Sequence, residues 1–97
     1  MSRALVERKL TQVAARLKEA RAELEVVEEQ LAFFADAADD TRLRALVSET
    51  PLAGREHHEA QKHADAMGRQ QAAVLRSIAE LEQAQDELLD RLLAEAH

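Results

Sequence analysis

The chain is 97 residues long, 46% apolar but only 2% aromatic, and carries a formal charge of −6 at pH 7. It has no cysteine, two glycines and one proline against 20 alanines and 14 leucines. That balance excludes a disulfide scaffold, a thiolate metal site, a collagen-like chain and a β-sandwich of aromatic and β-branched strands. It leaves one domain over 1–97 built almost wholly of helix.

The first predicted element is a helix over 3–38. Apolar positions run from Val6 through Leu10, Val13, Leu17, Ala20 and Leu24, then Val27, Leu31, Phe34 and Ala38. These steps alternate between four and three, which lays one apolar row along a helix and is the signature of a coiled-coil seam. Ser2 is the expected N-cap. Asp36, Asp39 and Asp40 favour caps over helix interiors, so the helix is expected to stop there. A turn with a short helix, 39–50, follows, carrying Leu43, Leu46 and Val47. Thr50-Pro51 then opens the second helix, predicted over 51–96, with threonine as cap and proline in the first turn. Its seam is Ala60, Ala64, Met67, Gln71 and Val74, then Ile78, Leu81, Gln85, Leu88 and Leu92, again in steps of four and three.

Charge tells how the helices meet. Residues 1–21 hold six basic and two acidic side chains, whereas residues 80–97 hold six acidic and one basic. Folding back joins these opposite blocks, while a parallel dimer would set each against its own copy. The expected fold is therefore all-α: an antiparallel helical hairpin with a short helical segment at the turn. Facing residue numbers should sum to about 98, which pairs Leu17 with Leu81 and Ala20 with Ile78. A slip of one heptad, with sums near 105, is the alternative register.

The hairpin leaves apolar residues unused. Val26, Phe33, Leu75, Leu89 and Leu93 lie off the seams, as does Leu5, and Leu43, Leu46, Val47 and Leu52 lie in or beside the turn. A small two-helix unit has little core of its own. Self-association, with two hairpins forming a four-helix bundle, is expected through these side chains. The partners expected are a second copy of the chain and another protein, with no membrane and no nucleic acid.

Catalysis finds no support. There are three serines and no glycine-rich phosphate loop, and the many carboxylates fall on helix surfaces. No cofactor is expected. The one local anomaly is Glu56-His57-His58-Glu59 with His63, where Glu56, Glu59 and His63 share a helix face at metal-compatible spacing. The bland reading of that face is a solvated turn with a Glu59–His63 pair. His57 falls on the extrapolated seam, where protonation would place charge in the interface.

The stretch SETPLAGREHHEAQ, with Asp36, Asp39, Asp40 and Glu49 nearby, resembles the acidic tip of the transcript-cleavage factors of bacterial RNA polymerase. That resemblance implies a small transcription regulator gripping RNA polymerase, although Arg42, Arg44 and Arg55 share the tip here. A size and shape similar to the anti-sigma helical hairpin of actinobacteria imply a sigma factor as the other partner of such a regulator. The dinucleotide-binding motif of the actinobacterial anti-sigma hairpin, E-x3-S-x2-R-x3-Q-x3-D, is not met. Ser48 has Arg44 and Pro51 at the flanking positions, and Ser77 has Ala73 and Glu80. The primary expectation is a bacterial, cytoplasmic, non-enzymatic adaptor or scaffold. A metal-binding helical bundle is the third alternative.

Overall fold

The computed structural model describes residues 2–95. Two long helices, α1 (Arg3–Ser48) and α2 (Pro51–Glu95), pack against each other as an antiparallel hairpin, with no strand among the described residues. The expected last residue of the second helix, 96, lies outside them. No helix here is long and apolar enough to cross a membrane.

Both starts are capped as their sequences dictate. The Ser2 hydroxyl accepts the Leu5 N–H at 3.3 Å, and its carbonyl accepts the Val6 N–H at 3.0 Å. Thr50 repeats this for α2, accepting from Ala53 through Oγ1 and from Gly54 through its carbonyl, each at 3.2 Å. Such caps satisfy amide donors that have no partner within the first turn.

α1 does not stop near residue 38, and no separate short helix occupies 39–50; the connection is Glu49 and Thr50 alone. The aspartates cost only about 0.5–0.7 kcal/mol each as exposed helix residues. Against this, the seam continues through them. Ala38 is buried and Thr41 and Ala45 are half-buried, prolonging the four–three alternation. The Thr41 hydroxyl turns back to the carbonyls of Ala37 and Ala38, at 2.9 and 3.0 Å, so it joins the seam without an unmet polar group. Only at Glu49 does the chain turn. Its N–H still reaches the Ala45 carbonyl at 3.1 Å, and its φ of 52° is left-handed. Helices often end this way, though with glycine or asparagine at that position.

The covered rows are regular. On α1 they run from Val6 to Ala45, joined by Ala37; on α2 they run from Ala53 to Leu92, joined by Gly68 and Ala84. Gln71 and Gln85 take their seam places half-buried. Among the described residues no buried side-chain polar atom lacks a partner.

The chain divides into two compact units. The first pairs residues 2–24 with 74–95. Its buried core is Val6, Leu17 and Ala20 from α1 and Val74, Ile78 and Leu88 from α2. The second comprises residues 25–73 and buries Val27 and Ala38 against Ala53 and Ala64. Three of those four are alanines, so burial stabilises the second unit less per turn of helix. Its register is fixed by two contacts. Thr41 Oγ1 lies 3.4 Å from His57 Nδ1, and the Phe34 and His63 rings stack at 5.4 Å. Those pairs sum to 98 and 97, which is the expected pairing and not the one-heptad slip. A two-residue connection at 49–50, which sums to 99, is consistent with that pairing.

Two glycines weaken the second unit further. A Cβ added at Gly54 or Gly68 would meet nothing within 4 Å. Gly54→Ala and Gly68→Ala should each therefore stabilise the protein by about 0.5–1 kcal/mol through helix propensity alone. Urea denaturation checks this; a loss at either position would contradict the open space around it.

Candidate interaction surfaces

In the first unit, one flank is marked by Arg21, whose guanidinium lies 3.9 Å from the Glu82 carboxylate. Heptad spacing puts Leu75 and Leu89 on the same edge of α2 as Glu82, with Leu93 one row further out. All three leucines remain 42–61% exposed. On α1 the edge that carries Arg21 also holds Glu7 and Ala14, with Ala4, Thr11 and Lys18 in the outer row. The Arg21–Glu82 pair is exposed, and such pairs contribute at most about 1 kcal/mol. Its value here is geometric, because it shows which edges of the two helices lie together.

The other flank of this unit is an open groove of about 610 Å³. Val13, Ala84 and Leu88 floor it, while Lys9, Arg16 and Arg91 rim it beside Glu87. Leu5, seven residues before the groove-lining Gln12, belongs to this flank and not to that of Leu75 and Leu89.

In the second unit the prominent feature is aromatic. The ring of Phe33, 69% exposed, meets Phe34 edge-on at 5.4 Å, and Phe34 stacks on His63. Phe34 thus ties an exposed ring to the half-covered seam, an arrangement that aromatic quadrupoles favour. Val26 is also exposed in this unit, as are Leu43, Leu46, Val47 and Leu52 around the turn. The expected off-seam stripe is thereby divided. Val26 and Phe33 belong to one unit, whereas Leu75, Leu89 and Leu93 belong to the other.

The metal candidates do not converge. Glu56, Glu59 and His63 are each exposed, and no group of three His, Asp or Glu side chains among the described residues is placed to hold an ion. His63 uses its ring face against Phe34 instead. His57 does take the seam position its spacing implies. Because the Thr41 hydroxyl donates to backbone carbonyls, its oxygen is left to accept from His57 Nδ1–H. The Phe34–His63 stack was legible only through the register, since a sum of 98 sets Phe34 beside residue 64 and its neighbour.

Comparison with protein-family models, with curated proteins and with solved structures finds no match to this chain.

Proposed function

We propose that this chain is a non-enzymatic protein-interaction module, a coiled-coil hairpin that associates with itself and binds another protein through apolar side chains outside its own seam. The observation that supports this reading is a mismatch between core and surface. Ten large apolar side chains are exposed among the described residues, while the buried apolar core has ten members of which four are alanine. Besides the six large members of that core, eight large apolar side chains are half-buried, so a monomer keeps ten of them exposed, and exposed apolar patches mark association sites. The first unit supplies the leucine edge of α2. The second supplies Val26, Phe33 and the turn residues Leu43, Leu46, Val47 and Leu52, a surface suited to the apolar face of a partner helix.

Sedimentation equilibrium over the micromolar range is the test. A mass at least twice the 10.8 kDa of the chain is expected. A single 10.8 kDa species that melts cooperatively at high temperature would overturn the reading.

A further inference from the structure

We infer that the flank marked by Arg21 and Glu82 is the docking surface for a second copy of this chain, the two hairpins lying side by side with α1 of each against α2 of the other. The inference rests on the self-association proposed above and adds the surface and the arrangement.

Two independent complementarities on this flank select that arrangement. The first is size. Towards the open end of the unit α2 presents Leu89 and Leu93, both substantially exposed, whereas α1 presents Ala4 and Thr11. Large side chains need small ones opposite if the copies are to approach closely. The second is charge. On the same flank α1 carries Lys18 and Arg21, and α2 carries Glu82 and Asp86. Setting α1 against α1 of the copy would bring cation to cation and alanine to alanine. Setting α1 against α2 of the copy brings cation to carboxylate and alanine to leucine.

The register makes these matches coincide in height. A two-fold axis parallel to the helices keeps each residue at its own level, so facing numbers again sum to about 98. Leu93 then falls at the level of Ala4, Leu89 near Thr11, and Glu82 near Lys18. Glu7, the acidic residue of α1 on this flank, pairs with Arg3 at 3.1 Å and falls level with Leu89 and Leu93 of the copy, away from Asp86 and Glu82. The outcome in this unit is four helices with antiparallel neighbours throughout, the packing of a four-helix bundle.

The test uses the full chain in sedimentation equilibrium, with circular dichroism to verify folding. Leu89→Glu with Leu93→Glu should weaken self-association by about tenfold or more while leaving helicity intact, because both positions are exposed in the single hairpin. Lys18→Glu with Arg21→Glu should weaken it through like-charge contact, as should Glu82→Lys with Asp86→Lys. Combining all four charge changes in one chain should restore it. A monomeric wild-type protein would overturn both the self-association and this surface. An associating wild type whose mass is unchanged by the leucine and the charge variants alike would overturn the surface and leave self-association standing. Should the leucine variant lose helicity, the charge series decides by itself: failure of the fourfold swap to restore association overturns the arrangement.

Discussion

Leu17→Ala should lower the unfolding free energy by about 2–4 kcal/mol, the usual cost of removing buried methyl groups and leaving a partly collapsed cavity. Leu17 is 2% exposed in the first unit, whose buried core also holds Val6, Ala20, Val74, Ile78 and Leu88. Val47→Ala is the control: Val47 is 84% exposed in the last turn of α1, so its truncation should change stability by less than about 0.5 kcal/mol. Urea midpoints at constant slope measure both. Equal losses at the two positions would mean that the seam is not where the hairpin's stability resides.

Val27→Asp should have a comparable or larger effect, about 3 kcal/mol or more, by placing a carboxyl where the side chain is almost fully covered. Its pH dependence has a definite sign. Burial raises a carboxyl pKa in the folded state above its unfolded value of about 3.9. The variant is therefore most stable below that value and loses stability as pH rises through the raised one. The damage should also be local. The second unit rests on Val27 and three alanines, so hydrogen exchange should speed up across residues 25–73 more than across 2–24 and 74–95. Uniform acceleration in both units, or a penalty that does not change with pH, would contradict this account.

The seam was legible from sequence because it depends on one long-range regularity that every turn of helix reinforces. From Val6 to Ala38 and from Ala60 to Leu92, the residues chosen for their spacing are the ones the fold covers. The misreading lay at Asp36, Asp39 and Asp40. Local preference there points to a cap, but the residues that continue the seam, Thr41 and Ala45, are too small or too polar to register as a hydrophobic repeat. Packing across the hairpin outweighs three modest propensity penalties. The ten exposed apolar residues were likewise legible as leftovers of the seam, yet their grouping was not. Spacing along one helix shows that Leu75 and Leu89 share an edge; it does not show that Arg21 lies beside them. Nor does it show that His63 has a ring to stack against.

The two-residue connection has a consequence for how such a chain could change length. Because Glu49 and Thr50 pin the crossing point, the arms are in phase only while each keeps its spacing from that point. An insertion of a single residue in one arm would rotate everything beyond it by about 100° and turn the apolar row towards water. Seven residues added to one arm would restore the phase and leave that arm overhanging. Sequence drift that preserves the hairpin is thus confined to steps of whole heptads, matched between the arms, or to substitutions that leave the spacing untouched.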